Sequence, residues 1–374
     1  MSFKSVIVVG GGLAGLIASI RLTRAGIACT LIEKKNYPFH RVCGEYISNE
    51  TMPFLKREGF FPDVFSPPVI NQFQLSSVSG KSTKLSLDLG GFGISRFTLD
   101  NLLYQQALQA GVNFVLEQEV DSISFLDRED CFTVRTSLQE FSTSLVIGAF
   151  GKRSRMDSAL KRGFIQKRSP YVGVKYHIRT NHPANLIALH NFNGGYCGVS
   201  NIEDGKTNLC YLVHRNQVKR FKAIREMEET VLFQNPFLKS IFQSSEFLFD
   251  KPETINEISF ETKEPVLNHI LMAGDAAGMI APLCGNGMAM AIHTGKIASD
   301  LIIQAKTENR SRAWLEAAYA DCWTSTFAAR LRTGRLIQNY LFGSAWSSRV
   351  AVNLAVHSTW LANQIIKKTH GVTF

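Results

Sequence analysis

The feature that most constrains the fold is a glycine cluster near the N-terminus, set between an apolar run and a stretch of helical periodicity. The run Ser5–Val9 predicts a buried strand, and the stretch from Leu13 to about Ala25, closed by Gly26, predicts a helix. A second apolar run, Cys29–Glu33, predicts another strand. Strand, glycine loop, helix and strand in this order predict a βαβ unit, so the chain begins as an α/β protein.

The glycine spacing in this unit predicts a dinucleotide site. Gly10, Gly12 and Gly15 fit the pattern G-x-G-x-x-G between a strand and a helix. The first glycine permits a tight turn, the second admits a pyrophosphate, and the third allows the helix to pack closely on the strand. The helix N-terminus, from Leu13 and Ala14 onward, offers unpaired N–H groups to the anion.

A carboxylate at the end of the second predicted strand completes the pattern. Glu33 lies 18 residues after Gly15, with Lys34 beside it. A carboxylate there accepts hydrogen bonds from the ribose hydroxyls of an adenosine and repels a 2′-phosphate. A glycine-rich turn without a ligand is the alternative, which the presence of both halves of the pattern disfavours.

A second glycine-rich segment far downstream indicates that the dinucleotide is a flavin rather than a nicotinamide cofactor. The apolar run that begins at Ile270 leads into Gly274 and Asp275, and a helix is predicted from about Gly287 to Gln304. Such a helix places its positive end near the N1/C2 edge of a flavin, which is anionic when reduced. An ordinary strand-to-loop turn is the alternative. The predicted cofactor residues of this segment are Gly274, Asp275, Pro282, Gly285, Asn286, Gly287 and Met288.

With these two segments, the chain resembles a large flavoprotein family from its N-terminus to about Asp300. The family contains p-hydroxybenzoate hydroxylase-type monooxygenases, geranylgeranyl reductases and flavin-dependent halogenases. The resemblance implies FAD as the cofactor, with Asp275 on the ribityl or ribose-side hydroxyls and the loop after it against the flavin ring.

Two further segments resemble the same family. In His40–Glu45, the resemblance places Arg41, Cys43 and Gly44 beside the flavin, and Arg96 at the ribityl and phosphate region. A solvated guanidinium is the alternative for Arg96, and a buried small hydrophobe is the alternative for Cys43.

Departures from the family leave the reaction open. Phe150 stands where many hydroxylases carry the Asp of Gly-Ala-Asp-Gly, and the Trp-x-Trp-x-Ile-Pro segment of halogenases is missing. The segment Gly194–Ser200 takes the place of the Tyr-x-Trp-x-Phe-Pro of geranylgeranyl reductases. Catalytic residues therefore stay unassigned, since a hydrogen-bonded structural role explains the polar candidates of the substrate sheet equally well: His177, His190, Tyr196 and His214.

The predicted fold class is α/β, with interleaved domains. A Rossmann-type FAD-binding domain with a parallel sheet alternates with an antiparallel-sheet substrate domain, and C-terminal helices follow. The predicted boundaries are residues 1–70, 94–165 and 262–310 for FAD, 71–93 and 166–261 for substrate, and 311–374 for the helical region.

Composition bounds the compartment and the partners. The seven cysteines include no C-x-x-C pair, which predicts reduced thiols and no metal site. No secretory signal is recognisable at the N-terminus, which predicts a cytoplasmic protein. The net charge is +10, and no acidic residue follows Asp321. Nucleic acid is not expected, because no binding motif accompanies the charge, but the basic C-terminal region with Trp346 and Trp360 suits peripheral membrane contact.

Three functions remain as hypotheses. The leading one is a monooxygenase that hydroxylates an apolar aromatic or polyketide-like molecule. The second is a geranylgeranyl-reductase-like enzyme that saturates C=C bonds of a polyprenyl or lipid chain, and the third is a non-catalytic FAD-binding regulatory protein. NADH or NADPH is expected only as a transient reductant, because there is no second G-x-G-x-x-G unit.

Overall fold

A computed structural model describes residues 4–166, 169–256, 258–341 and 344–374. The strands are β1 (Ser5–Val9), β2 (Ala28–Glu33), β3 (Tyr46–Ser48), β4 (Val69–Ser76), β5 (Ser82–Gly93), β6 (Asn113–Leu116), β7 (Val120–Leu126), β8 (Cys131–Thr136), β9 (Glu140–Thr143), β10 (Leu145–Gly148), β11 (Tyr171–Arg179), β12 (Leu186–Phe192), β13 (Gly195–Asn201), β14 (Thr207–His214), β15 (Glu246–Phe247), β16 (Glu253–Asn256), β17 (Val266–Leu267) and β18 (Ile270–Met272). The helices are α1 (Leu13–Arg24), α2 (Met52–Arg57), α3 (Arg96–Ala110), α4 (Arg155–Ala159), α5 (Arg215–Val218), α6 (Ile224–Val231), α7 (Pro236–Ser244), α8 (Gly287–Thr307), α9 (Arg312–Leu341), α10 (Ala345–His357) and α11 (Thr359–Thr369).

A six-stranded sheet forms the nucleotide-binding half, in the order β17-β18-β10-β1-β2-β6. All neighbouring pairs except β17 with β18 are parallel. Its central strands β1 and β10 are almost continuously apolar and buried, as expected for a parallel sheet that is covered on both faces. Helix α1 packs against α3 and α8, so the two glycine-rich segments meet at one edge of the sheet. The Rossmann-type α/β fold is confirmed.

A nine-stranded sheet forms the second half, and most of its neighbouring strands are antiparallel. Helices α6 and α7 cover one apolar face of this sheet, whereas α10 contacts β4, β5 and β12 on another part. Strand β3 pairs with β5 although its residues lie within the stretch 1–70. The domain boundaries stay a prediction.

The remaining elements are a small sheet and the C-terminal helices. Strands β7, β8 and β9 form a separate three-stranded sheet. Helices α9, α10 and α11 confirm the predicted helical C-terminal region. Within the described ranges, none of the helices combines the length and apolarity needed to cross a bilayer.

Candidate active site

The first glycine loop joins β1 to α1. Close contacts at Gly10 and Gly15 explain why these two positions cannot carry a side chain. Gly10 has φ +106°, and a Cβ there would lie 2.4 Å from the Ala149 carbonyl oxygen. A Cβ on Gly15 would lie 2.1 Å from the Gly10 carbonyl oxygen, so α1 crosses β1 too closely for any side chain. The loop therefore keeps bare backbone at the point where the sequence predicts a pyrophosphate.

The N-terminus of α1 has no side-chain cap among the described residues. Gly12 occupies the N-cap position, and Leu13, Ala14 and Gly15 form the first turn. A Cβ on Gly12 would lie 3.6 Å from a terminal guanidinium nitrogen of Arg96, which brings a cation to this helix end. Free N–H groups beside a cation suit a phosphate.

Glu33 is buried at the end of β2 and reaches back to the glycine loop. Its carboxylate accepts hydrogen bonds from the backbone N–H groups of Gly11 (2.8 Å) and Lys35 (3.1 Å), and Arg41 lies 3.3 Å away. The Tyr37 hydroxyl donates to the Gly11 carbonyl oxygen, a contact that no sequence pattern indicated. Lys34, in contrast, is 55% exposed and pairs with Glu119 at 3.3 Å.

Asp100 is a site residue that the sequence reasoning missed. It is buried and binds the Arg96 guanidinium with both carboxylate oxygens at 2.7 Å, and Arg41 at 3.1 Å. The i,i+4 spacing of Arg96 and Asp100 on α3 was the available signal. Asp100 thus neutralises the cation that lies beside the α1 N-terminus.

The distal segment meets the first glycine loop through α1 and α8. Gly274 has φ +61°, and a Cβ there would lie 3.3 Å from the Ala14 side chain. A Cβ on Gly295, about two turns into α8, would lie 2.6 Å from the Ala14 carbonyl oxygen. Asp275 is half-buried, and its backbone carbonyl accepts a hydrogen bond from the Lys263 ammonium at 2.7 Å.

The loop before α8 combines a left-handed turn with an unpaired amide. Pro282 opens a short 3₁₀ turn, and Gly285, at φ +68°, lies beside Tyr46, since a Cβ there would be 3.2 Å from its ring. Asn286 is buried; its side-chain nitrogen donates to the Thr369 carbonyl at 2.7 Å, and its side-chain oxygen has no partner among the described residues. The buried Met288 follows Gly287 at the start of α8. An unpaired amide oxygen at a helix N-terminus fits a polar ligand edge.

The segment before β3 is held by side chains of the nine-stranded sheet. Asn208 donates to the Cys43 carbonyl at 3.2 Å, and Ser200 donates to the Gly44 carbonyl at 3.5 Å. Glu45, with φ +53°, is fully buried between Lys175 and His177. Burial opposes ionisation of Glu45, but Lys175 and His177 outweigh it and lower the pKa of the carboxyl.

The other polar candidates of the second sheet have structural partners. His190 is buried, bonds Ser76 at 2.8 Å and stacks on Phe237, and burial lowers its pKa to about 3. His214 caps α5 by accepting from the Asn216 N–H at 3.2 Å. The Tyr196 hydroxyl accepts from the Leu283 N–H at 3.1 Å, which ties β13 to the loop before α8.

An apolar cavity of about 120 Å³ lies between the nine-stranded sheet and the C-terminal helices. Leu283, Cys284 and Gly285 form one end, next to the predicted flavin loop. Aliphatic side chains of β4, β5 and β12 form one wall, and Ala351, Leu354 and Ala355 of α10 belong to the opposite wall. A more polar cavity of about 470 Å³ shares Leu87, Ile366 and His370 with the first one.

These residues fit FAD. The bare glycine loop and the uncapped α1 N-terminus suit a pyrophosphate, and the buried Glu33 suits a ribose. The unpaired side-chain oxygen of Asn286 suits a polar edge of the flavin. Bound there, an isoalloxazine supplies hydride transfer and oxygen chemistry, and the protein supplies orientation and charge.

Comparisons with known proteins agree with this arrangement. A family model described as an FAD binding domain matches residues 4–329. Conditioned medium factor receptor 1 of Dictyostelium discoideum is 20% identical, and the match covers 91% of this chain and 71% of the receptor. Digeranylgeranylglycerophospholipid reductase of Methanosarcina acetivorans is 23% identical over 89% of this chain and 84% of the reductase. The structure of the flavin-dependent brominase Bmp2 has a TM-score of 0.78 and 17% identity, covering 100% of this chain and 94% of the brominase, which shows a shared fold.

Proposed function

We propose, since the chain belongs to the FAD binding domain family of flavoprotein oxidoreductases, that this protein is a reductase that saturates carbon–carbon double bonds of a polyprenyl or lipid chain. The family resemblance predicted from the motifs is confirmed by the match, which also supports FAD as the cofactor. NADH or NADPH is proposed as the transient reductant.

The apolar cavity is the observation that supports this substrate class. Its walls are mostly apolar, with aliphatic side chains in the majority, and it begins at Gly285 of the loop before α8. Its volume of about 120 Å³ is below the ~150 Å³ of a cavity that holds benzene. The space therefore suits one short segment of an apolar chain, and the adjoining, more polar cavity suits a polar head group.

Aromatic hydroxylation, the leading hypothesis from the sequence, is the second candidate, and β13 favours it. Geranylgeranyl reductases carry Tyr-x-Trp-x-Phe-Pro where this chain has Gly194–Ser200. In the structure, Gly195 packs against Leu212 and Phe192, and Tyr196 is tied to Leu283, so β13 has no bulky aromatic row like that of the reductases.

One experiment separates the candidates. The FAD-loaded protein is incubated with a reductant, heavy-isotope oxygen gas and host lipid extracts, and product masses are followed. A gain of two hydrogens without oxygen supports the reductase. Incorporation of a heavy oxygen atom would replace it by the monooxygenase, and a protein that binds FAD but converts no substrate would favour the regulatory alternative.

A cavity-filling variant tests the substrate site directly. Ala355→Phe adds a ring to the cavity wall and should shorten the chains that are reduced, whereas Val356→Phe, on the exposed side of the same helix, should leave the product profile unchanged. Thermal unfolding shows whether both variants are folded. A folded Ala355→Phe protein with an unchanged product profile would place the substrate elsewhere.

We infer further that the C-terminal helices contact a membrane surface. Helix α10 lines the apolar cavity on one side and exposes Trp346, Arg349 and Val350 on the other, and Trp360 is exposed on α11. Exposed tryptophans with basic residues and no acidic ones suit the interface of an anionic bilayer. An apolar substrate would then reach the cavity from the lipid phase.

A further inference from the structure

The polar cavity of about 470 Å³ is formed by three pieces of the chain. They are residues 86–90 of β5, the second half of α11, and the segment 370–373 that follows α11. This polar cavity meets the apolar cavity at Leu87, Ile366 and His370. An amphiphile whose chain lies in the apolar cavity can therefore place its head group in the polar one.

Strand β5 contributes a bulge to the cavity wall. In the β4–β5 ladder, the four residues 87–90 lie opposite Asn71 alone. A bulge bends its strand and leaves the extra residues without a ladder partner. The wall at this point consists of polar backbone together with the Asp88 side chain.

The end of α11 supplies hydrogen-bond acceptors to the same cavity. The side-chain oxygen of Asn363 is buried and has no partner in the described part of the chain. The Nδ1 atom of His370 lies 2.8 Å from the Ile366 carbonyl oxygen, so Nδ1 carries the proton and Nε2 presents a lone pair when the ring is neutral. Burial lowers the pKa of His370 against the opposing effect of its bond to Ile366, which keeps the ring neutral near pH 7.

The charges around the cavity cancel. The lining side chains with a formal charge are Lys367 and Asp88, which pair with each other at 3.0 Å. Helix α11 ends at Thr369, so its C-terminal end, which carries partial negative charge, also lies at this cavity. The site therefore lacks the excess of positive charge that suits a phosphate.

These acceptors distinguish between classes of head group. An ionised phosphate presents acceptor oxygens, whereas a hydroxyl group can donate to the Asn363 oxygen, to His370 or to the Asp88 carboxylate. We propose that the polar cavity binds an uncharged head group that carries a hydroxyl, as in a terminal alcohol or a glycerol unit, in preference to a phosphate ester. The inference rests on the proposed reductase function, because the head group and the chain belong to one substrate.

The test measures binding separately from turnover. FAD-loaded protein without a reductant is titrated by calorimetry with three probes that share one short polyprenyl chain: the free alcohol, its monoglyceryl ether and its monophosphate. At least one hydroxyl probe should bind about tenfold more tightly than the monophosphate, and the tighter of the two identifies the head group. Equal or tighter binding of the monophosphate would overturn the proposal.

Two variants connect this preference to the cavity. Asp88→Asn leaves Lys367 without its carboxylate and should shift the preference toward the monophosphate by about three- to fivefold. Asn363→Leu removes an acceptor and should weaken binding of the hydroxyl probes by about fivefold while leaving the monophosphate unchanged. Asp127→Asn, in the exposed turn between β7 and β8, is the matched control and should behave as the wild type. If both cavity variants fold by thermal unfolding and keep the wild-type preference, the head group binds elsewhere.

Reduction assays with the same probes separate this inference from the proposed function. Reduction of the chain with no effect of head group or variant would overturn the head-group site and leave the reductase standing. The expected order of binding without reduction of any probe would support the head-group site and overturn the reductase.

Discussion

Alanine substitutions at Gly10 and Gly26 separate the energetic cost of steric crowding from the cost of backbone strain. Gly10→Ala would combine a positive φ with a contact of 2.4 Å to the Ala149 carbonyl oxygen. Gly26→Ala has a positive φ but open space around it, so it should cost only about 1–2 kcal/mol of unfolding free energy. Gly10→Ala should cost roughly 1–3 kcal/mol more and weaken FAD binding. Urea unfolding and FAD titration measure both effects, and equal losses in the two variants would contradict the steric argument.

The buried His190 makes stability depend on pH. Burial lowers its pKa to about 3, so below the unfolded-state value of about 6.5 the unfolded chain binds a proton that the folded chain does not. The free energy of unfolding should therefore decrease as the pH falls below 6.5, and it should be lower by about 2 kcal/mol at pH 5. His190→Gln should remove that portion of the difference between pH 7 and pH 5 in urea unfolding. The exposed His357→Gln is the control, and an unchanged pH dependence in His190→Gln would refute the assignment.

Among individual residues, the sequence predicted those whose role follows from their residue type and from their spacing in the chain. Gly10, Gly15 and Glu33 were predictable because the bare turn and the carboxylate at the strand end form a local pattern. The partners of Glu45 were not predictable, because contacts such as that of Glu45 with Lys175 join residues far apart in the chain. For Arg96, the i,i+4 spacing to Asp100 was a local signal. The roles of the predicted cofactor residues stay predictions.

Among the elements, the crossing of α1 and α8 decides whether the two glycine-rich segments meet. Gly295→Ala improves helix propensity by about 1 kcal/mol, but its Cβ would lie 2.6 Å from the Ala14 carbonyl oxygen. The steric cost of roughly 1–3 kcal/mol should prevail, lowering the thermal midpoint and FAD affinity together. Gly163→Ala, in an exposed turn with open space, is the matched control. A more stable Gly295→Ala protein would show that the helices can separate without loss.

Element types were more predictable than their partners. The apolar runs at β1, β2 and β18 and the helical periodicity of α1 and α8 are visible in the sequence itself. The apolar run that leads into Gly274 and Asp275 forms a strand only as far as Met272, and Gly274 then takes up a left-handed conformation. The pairing of β3 with β5 had no local signal, since strand pairing is decided by tertiary contacts.

At the scale of the whole molecule, the surface proposed to contact a membrane and the apolar cavity share one helix, α10. Membrane binding through this surface should need both electrostatic attraction and insertion of tryptophan. The protein should therefore bind vesicles that contain anionic phospholipid more tightly than neutral vesicles, and this binding should weaken as the salt concentration increases. Trp346 and Trp360 are 75% and 70% exposed, and replacing both by Ser should weaken vesicle binding in sedimentation assays. Leu138→Ser changes a side chain that is 76% exposed but lies between β8 and β9, so it should have no effect. Equal binding by all three proteins would place the membrane contact elsewhere, whereas selective loss in the tryptophan variant would place that contact on α10 and α11, next to the cavity.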